Sequence, residues 1–352
     1  MKKKCLSSLL ILVFCALFCL PAGAVSTSAQ SAILMEAGSS RVLYAQGELD
    51  RRSIASTTKL MTALVAAERC PDFSQVVTVD PAAVGVEGSS LYLKAGEQLP
   101  LEHLLYGLLL HSGNDAAVAI AIHCGGDVET FVGWMNEKTQ ELGMTNSHFE
   151  NPNGLEGEAH YSCAYDLALL GKAVLENDAL APIAATRSIT LGNRSFANHN
   201  KLLWRYEGCI GLKTGFTKKA GRTLVSAAKR GETTLIAVTL NDGNDWADHA
   251  GLFDYGFSLC HSHLLARGGK EVGLVQVEGS LVPAVAVAAV NDVRYALKED
   301  EPVTARWDLP QTLPAPVQAG GTVGSLTFYL NGAEIGHTDL VAAASAPRNL
   351  RD

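Results

Sequence analysis

Three short segments of this chain carry residue types that could perform acyl transfer without a histidine. They are Ser56-Thr57-Thr58-Lys59, Ser112-Gly113-Asn114 and Lys213-Thr214-Gly215. Each segment alone is common in proteins, but all three in this order and at this separation indicate one serine acyl-transfer site. A serine hydroxyl is a weak nucleophile until a base removes its proton, so a lysine one helical turn away is the candidate base.

The two lysines of these segments must then carry different charges. A lysine with an ordinary pKa of about 10.4 is protonated at neutral pH, so Lys59 can be a base only if burial and a second cation lower its pKa. Lys213 could supply that fixed positive charge and, together with Thr214, bind a substrate carboxylate. Ser112 could relay the proton to the leaving amine.

The other polar groups of these segments have candidate roles in substrate binding. Asn114 could hold the Lys59 side chain and a substrate amide. The backbone N–H groups of Ser56 and Phe216 are expected to bind the developing oxyanion. Gly215 would let a substrate backbone approach the strand closely.

The first segment is expected at the start of a helix. Apolar residues recur at helical spacing after Ser56 (Leu60, Met61, Leu64, Val65), which predicts that Ser56 and Lys59 share one face. The alternative is that Ser56 only caps the helix. A predicted hairpin, two strands in residues 32–44 that turn at Gly38-Ser39-Ser40, precedes this helix.

The second and third segments are expected on a turn and on a strand. Two apolar helical runs, 104–110 and 116–122, flank Ser112, which predicts a buried turn between helices; helix capping is the alternative reading. Residues 210–216, 222–228 and 234–240 predict three antiparallel strands, with Lys213 on the first. A further helix is expected from Asp166 to Leu175.

The chain divides into a larger mixed part and a smaller β-rich part. After Leu265, short valine-rich strands alternate with Gly, Pro and Asn turns, which predicts a small β-sandwich. The predicted units are a signal peptide (1–24), an α/β (α+β) domain with an antiparallel sheet flanked by helices (25–265), a β domain (266–345) and a polar tail (346–352).

The first 24 residues have the pattern of a secretory signal peptide. Lys2, Lys3 and Lys4 precede an apolar run of about a dozen residues and the small residues Ala22 and Ala24, which predicts export and an extracytoplasmic location. The run is shorter than the ~20 residues that a membrane-spanning helix needs. The formal net charge of −8 argues against nucleic acid as a partner.

The cysteine and histidine residues match no metal-binding pattern, so neither a metal nor a cofactor is expected. Five cysteines follow the predicted signal peptide, and an odd number excludes a fully paired disulfide framework. Cys70 and Cys124 both close helical patterns. A disulfide between them is possible if those helices pack side by side, and free thiols are the alternative.

The chain resembles the D-alanyl-D-alanine carboxypeptidases, which are low-molecular-mass penicillin-binding proteins, from about Ala32 to Ala342. Besides the three segments, the resemblance rests on further matching stretches: Gly88-Ser89-Ser90, His160-Tyr161-Ser162, Asn200-Lys201-Leu202-Leu203 and Gly211-Leu212 through Thr217. It implies a penicillin-recognising serine peptidase domain followed by a β-rich domain. It implies a peptidoglycan stem peptide ending in D-Ala-D-Ala as the substrate and β-lactams as inhibitors.

By position, the resemblance makes Ser56 the acyl-ester nucleophile, Lys59 the base, Ser112 a second catalytic serine and Lys213 the carboxylate binder. Many relatives end in an amphipathic membrane helix, whereas residues 346–352 are too few and too polar to form one, so membrane anchoring is not supported.

Three other functions use similar motifs. An endopeptidase would cut peptidoglycan cross-links and would differ only in its product. A class A β-lactamase would add a glutamate that drives deacylation, and no such motif lies between Ser112 and Lys213. A non-catalytic module would bind stem peptides without reacting at Ser56.

Overall fold

The protein combines helices and strands up to residue 259 and continues in strands beyond it. The computed structural model describes residues 25–349, so the predicted signal peptide and the last three residues of the predicted tail lie outside it. The helices are α1 (Lys59–Arg69), α2 (Leu101–Tyr106), α3 (Asn114–Gly125), α4 (Val128–Glu141), α5 (Ala164–Glu176), α6 (Leu180–Ala185), α7 (Leu202–Arg205) and α8 (Asp245–Leu259). The strands are β1 (Ser31–Glu36), β2 (Val42–Gln46), β3 (Val76–Thr78), β4 (Gln98–Pro100), β5 (Ser188–Leu191), β6 (Arg194–Ala197), β7 (Cys209–Thr217), β8 (Gly221–Arg230), β9 (Thr233–Leu240), β10 (His261–Ala266), β11 (Glu271–Glu278), β12 (Ala284–Ala289), β13 (Val293–Leu297), β14 (Val303–Asp308), β15 (Thr312–Pro314), β16 (Thr322–Leu330) and β17 (Ala333–Ala342).

A five-stranded antiparallel sheet in the order β2-β1-β9-β8-β7 organises the first part of the chain. The sequence predicted its two pieces, the hairpin of β1 and β2 and the set of β7, β8 and β9. Strand β1 joins the two pieces because it pairs with β9 along its full length. Strand β7 forms one edge of the sheet and carries the Lys213 segment.

Helices cover both faces of this sheet, as the predicted α/β class requires. Alternate residues of each strand point to opposite faces. On β1, Ile33 packs with the larger core cluster, which includes apolar residues of α1, α3 and α5. Leu34, the next residue, packs with Phe253 and Leu252 of α8. The central strands are therefore buried between two helical layers.

Two of the three segments lie where helices begin or end irregularly. A 3₁₀ turn, Ala55–Thr58, leads into α1 and contains Ser56. Helix α2 continues as a π-helical segment, Gly107–His111, which stops at Ser112. Ser112 has a φ of 65°, in the left-handed region, so the chain reverses there before α3 begins at Asn114.

The second part of the chain is β-rich, as predicted, and consists of two sheets of unequal size. Six strands form one sheet in the order β14-β16-β17-β12-β11-β15, and β10 pairs with β13 in a second. Side chains of both sheets share one apolar cluster, which includes Ala266, Val293 and Leu326. Because β10 pairs within this unit, the predicted boundary between residues 265 and 266 falls inside its first strand.

Within residues 25–349, no single helix is long and apolar enough to cross a membrane. Helices α3 and α4 would meet the length and composition criteria together, but they are bent by 89° relative to each other.

Candidate active site

The Ser56 hydroxyl and the Lys59 amine are hydrogen-bonding neighbours. The distance from Lys59 Nζ to Ser56 Oγ is 2.8 Å, as expected for residues one turn apart on the same face. Capping does not explain Ser56, because Ile54 precedes the 3₁₀ turn, Thr58 precedes α1, and neither helix start has a side-chain cap. Ala55, the residue before Ser56, has a φ of 49°, so the nucleophile follows a strained position in the backbone.

Three oxygen atoms from three parts of the chain surround the Lys59 amine, which is fully buried. Besides Ser56 Oγ, they are Asn114 Oδ1 at 2.6 Å and the backbone oxygen of Asn153 at 2.5 Å. An amide oxygen and a backbone carbonyl can only accept hydrogen bonds. An ammonium could donate to all three oxygens, whereas a neutral amine, with two N–H donors for these two acceptors, leaves its lone pair for the Ser56 hydroxyl.

The pKa of Lys59 is well below its ordinary value. Burial is the main cause, and the positive charge of Lys213 lowers the pKa further, while the Asp115 carboxylate opposes both effects. Burial and a second cation are the two effects that we expected to lower the pKa of a lysine base at this position. Both causes favour the neutral amine, which is the form that can accept the Ser56 proton.

Asp115 fixes the wall of the site that carries Ser112 and Asn114. Its buried carboxylate accepts hydrogen bonds from the backbone N–H groups of Leu91 and Leu93, at distances of 2.9 and 3.2 Å. The Asn114 N–H donates to Ser89 O at 2.7 Å. The buried Asp115 therefore ties the loop around Ser89 to the turn at Ser112, and both serines line the same cavity.

Strand β7 forms the opposite wall. Thr214, Gly215 and Phe216 line the cavity, and Phe216 is two-thirds exposed. The structure gives Gly215 a role in the fold in addition to the predicted approach of a substrate backbone. A Cβ atom there would collide with Thr223 Oγ1 and would lie 2.9 Å from the Ser56 nitrogen and 3.1 Å from the Thr57 nitrogen. The glycine therefore allows the turn that carries Ser56 to approach β7.

Lys213, on the same strand, is buried and departs from the expected fixed charge. It is 1% exposed, and burial lowers its pKa to about 7. Its Nζ donates to the backbone oxygen of Thr214 at 2.8 Å. In the free protein Lys213 is therefore protonated in only part of the molecules at pH 7. A bound carboxylate would favour the charged form, because an adjacent opposite charge raises the pKa of an amine.

The cavity between these walls has a volume of about 510 Å³ and contains residues that the sequence did not single out as site residues. They are Ser89, His199, Lys201, Arg222, Asp245 and Trp246. Burial, with contributions from Lys213 and His111, lowers the pKa of His199 to about 4, so this imidazole is neutral at pH 7. Ser89 and Lys201 lie in two of the stretches on which the family resemblance rests. That resemblance was the only feature of the sequence that could have marked them as site residues.

Arg222 is held in place by two of the other cavity residues, Asp245 and Trp246. Its Nε and Nη2 donate to the carboxylate of Asp245, with the shortest distance at 2.6 Å. Its guanidinium carbon lies 5.3 Å from the ring centroid of Trp246. Nη1 takes no part in these bonds. Because Arg222 is on β8 and Asp245 begins α8, their proximity could not be read from their separation in the sequence.

The backbone oxygen of Asn153 is another component of the site that was not predicted from the sequence. The loop that carries it is fixed by its own side chains, since Asn151 Oδ1 accepts from the Gly154 N–H at 2.7 Å. His160 joins this loop to α1 through a 2.8 Å hydrogen bond between its Nε2 and Thr58 Oγ1. A backbone acceptor leaves no signature in residue type, so only the folded loop identifies it.

Comparison with known proteins places this arrangement in a family. A model of the family described as D-alanyl-D-alanine carboxypeptidase matches residues 21–244. The chain belongs to the D-alanyl-D-alanine carboxypeptidase family. A second model, described as the C-terminal domain of penicillin-binding protein 5, matches residues 261–348. The resemblance seen in the sequence, a low-molecular-mass penicillin-binding protein with a β-rich second part, is confirmed.

Relatives in this carboxypeptidase family match over most of the chain. The chain is 31% identical over 329 residues to the D-alanyl-D-alanine carboxypeptidase DacF of Bacillus subtilis, which covers 89% of this chain and 85% of the relative. It is 37% identical over 254 residues to DacB2 of Mycobacterium tuberculosis, which covers 68% of this chain and 87% of the relative. The crystal structure of penicillin binding protein 5 from Haemophilus influenzae superposes with a TM-score of 0.78 at 28% identity, covering 92% of this chain and 98% of that one.

Proposed function

We propose that this protein is a serine-type D-Ala-D-Ala carboxypeptidase that removes the terminal D-alanine from peptidoglycan stem peptides. The observation that carries the proposal is the environment of the buried Lys59 amine, which lies within hydrogen-bond distance of Ser56 Oγ, Asn114 Oδ1 and Asn153 O. The curated relatives named D-alanyl-D-alanine carboxypeptidase support the substrate and the reaction.

Acylation begins with proton transfer from Ser56 Oγ to Lys59 Nζ. The serine oxygen attacks the carbonyl carbon of the penultimate D-alanine, and the oxyanion lies toward the Ser56 and Phe216 N–H groups. The C–N bond then breaks as Lys59 passes the Ser56 proton through the Ser112 hydroxyl to the leaving D-alanine nitrogen. Water attacks the ester, and its proton returns through Lys59 to Ser56 Oγ as the acyl group leaves. Lys213 and Thr214 bind the terminal carboxylate, which raises the pKa of Lys213 and keeps it charged.

The direct test is product analysis with a stem pentapeptide that ends in D-Ala-D-Ala. Mass spectrometry should detect free D-alanine and the tetrapeptide, and labelled penicillin should attach to the peptide that contains Ser56. Ser56→Ala should abolish both reactions, whereas Ser258→Ala, a change at an exposed serine on α8, should preserve both. Penicillin labelling of the folded Ser56→Ala variant would refute the nucleophile assignment.

The other candidate functions have less support. A class A β-lactamase would need a glutamate that activates the deacylating water, but the Glu156 carboxylate is bound by Ser53 and Thr217 on the rim. Rapid penicillin turnover would favour that function. Cleavage of cross-linked dimers in preference to pentapeptides would favour an endopeptidase, and absence of acylation by penicillin would favour a binding module.

Export through residues 1–24 is part of the same proposal. A basic start, a short apolar run and small residues before Val25 support cleavage after Ala24 and an extracytoplasmic location, in the cell wall or at the outer face of the cytoplasmic membrane. N-terminal sequencing of the protein from an extracytoplasmic fraction should return Val25. A mature protein that retains Met1 in the cytoplasm would contradict the proposal.

A further inference from the structure

Helices α1 and α3 run side by side in the same direction away from the active site. Their first residues, Lys59 and Asn114, are joined by the 2.6 Å hydrogen bond between Lys59 Nζ and Asn114 Oδ1. The helices are 11 and 12 residues long, so both extend for about 17 Å. Because they have nearly the same length, the far ends of both helices also meet.

A pair of thiols lies where these far ends meet. Cys70 is the residue at which α1 ends, and Cys124 is in the last turn of α3. Both side chains are half-buried against the main core. Burial raises the pKa of the Cys124 thiol, and the Cys70 thiol lies near enough to raise it further. The structure describes both as free cysteines.

We propose that Cys70 and Cys124 form a disulfide that links the C-terminal ends of α1 and α3. The N-terminal ends of the same helices carry Lys59 and Asn114. The proposal goes beyond the carboxypeptidase function and concerns a covalent modification of the scaffold. An exported protein meets oxidising conditions, in which a pair of adjacent thiols can be oxidised and remain so.

The other described cysteines do not have this arrangement. The Cys163 sulfur accepts from the Asp166 N–H, while the Cys209 and Cys260 thiols donate to the backbone oxygens of Gly211 and Gly256. Those contacts are local to one turn or one strand. The Cys70–Cys124 pair instead joins segments 54 positions apart, so a bond between them would restrict a long loop of the unfolded chain.

The oxidation balances with a small disulfide such as glutathione disulfide as the oxidant. In the first step the thiolate of one of the two cysteines, for example Cys70, attacks the glutathione disulfide. Its thiol loses a proton, its sulfur bonds to one glutathione sulfur, and one glutathione leaves. Cys124 then loses its proton and attacks the Cys70 sulfur, which releases the second glutathione. Two protein thiols are oxidised and one glutathione disulfide is reduced.

The primary test is peptide mapping of the purified protein after equilibration with glutathione disulfide. A non-reducing digest should contain the Cys70 and Cys124 peptides linked, with two hydrogens fewer than their sum, and dithiothreitol should separate them. Cys260→Ser should retain the link, whereas Cys70→Ser and Cys124→Ser should lose it. Alkylation of both thiols after full equilibration, or a glutathione adduct on Cys70 that does not resolve, would overturn the proposal.

Thermal unfolding gives a second measurement that does not depend on any variant folding. The oxidised wild-type protein should melt about 5–15 °C above the reduced protein, because closing a loop of this length restricts the unfolded chain. The same comparison in Cys260→Ser should give the same difference. Equal melting temperatures for verified oxidised and reduced wild-type samples would contradict the role of the bond as a brace.

Discussion

Lys59 and Lys213 are both buried, but different groups surround their amines. Lys59 Nζ contacts oxygens from α1's leading turn, from α3 and from the Asn153 loop. Lys213 Nζ donates to the adjacent Thr214 carbonyl on its own strand. Burial and a neighbouring cation both lower the pKa of Lys59, whereas burial alone lowers that of Lys213, to about 7.

The two lysines therefore suit different roles. Lys59 acts as a base in its neutral form, whereas Lys213 must be protonated to bind a carboxylate. The acceptors around Lys59 suit a neutral amine, and the charge of Lys213 opposes its protonation. Lys213 titrates near neutral pH, so an anionic ligand can shift it to the charged form at little cost. Substitutions of Lys59 and of Lys213 should therefore change the kinetic constants and the pH dependence of the protein in different ways.

The largest effect is expected from Lys59→Met. Loss of the general base should slow acylation of Ser56 by about 10²–10⁴-fold, since that is the usual contribution of a positioned base. The rate of labelling by fluorescent penicillin measures it, with thermal unfolding as a check on the fold. Lys94→Met, at an exposed lysine, is the matched control and should react like wild type. A rate within tenfold of wild type would exclude Lys59 from proton transfer.

Lys213→Met should weaken capture of substrates that end in a carboxylate. A charge-assisted hydrogen bond contributes about 1.5–3 kcal/mol, so kcat/KM should fall roughly 10- to 100-fold. The variant also removes a cation from beside Lys59, so the pKa of Lys59 should rise and the acid limb of the acylation profile should move to higher pH. An acid limb that does not move would show that the two amines do not interact.

Lys213 should also make stability depend on pH. Its pKa is about 7 in the folded protein and near 10.5 when unfolded, so the unfolded chain binds more protons between these values. Stability should therefore rise with pH above about 7 and be lost as pH falls toward 7. Between pH 7 and 9 the wild type should gain about 2 kcal/mol in unfolding free energy relative to Lys213→Met, measured by urea denaturation. Parallel stability curves would contradict the lowered pKa.

Gly215→Ala tests how closely the two walls approach each other. The added methyl would press on Thr223 Oγ1 and on the Ser56 and Thr57 nitrogens, so we expect a loss of about 1–3 kcal/mol in unfolding free energy and slower acylation. Gly251→Ala in α8 is the control, because its Cβ would have no atom within 4 Å. If Gly215→Ala matches this control in both measurements, the turn and the strand have room to separate.

The smallest effect is expected from Arg222→Gln. Its guanidinium lines the cavity but is shared with Asp245, so kcat/KM for a carboxylate-ended peptide should fall about 3- to 10-fold. The same peptide with a C-terminal amide should show little change. An equal loss for both peptides would mean that Arg222 supports the shape of the cavity and does not recognise the carboxylate.

Much of the fold could be predicted because its signals are local. The β1–β2 hairpin, helix α5 and the set of β7, β8 and β9 follow from apolar periodicity and turn residues. The position of β1 beside β9 could not be predicted, since strand order depends on contacts between distant segments. The π-helical end of the helix before Ser112 was missed for a similar reason, because packing and not residue preference sets such an irregularity.

For the candidate site, the sequence by itself determined the reactive residue types and the Ser56–Lys59 contact, because three positions on a helix fix a distance. It also determined that a lysine base needs a lowered pKa. Only the tertiary structure decided how that happens, through the Asn153 carbonyl, the burial of both lysines and the approach of β7 to Ser56. It also decided that Lys213 is not permanently charged and that Arg222 lines the cavity, because burial and proximity arise when distant segments pack together.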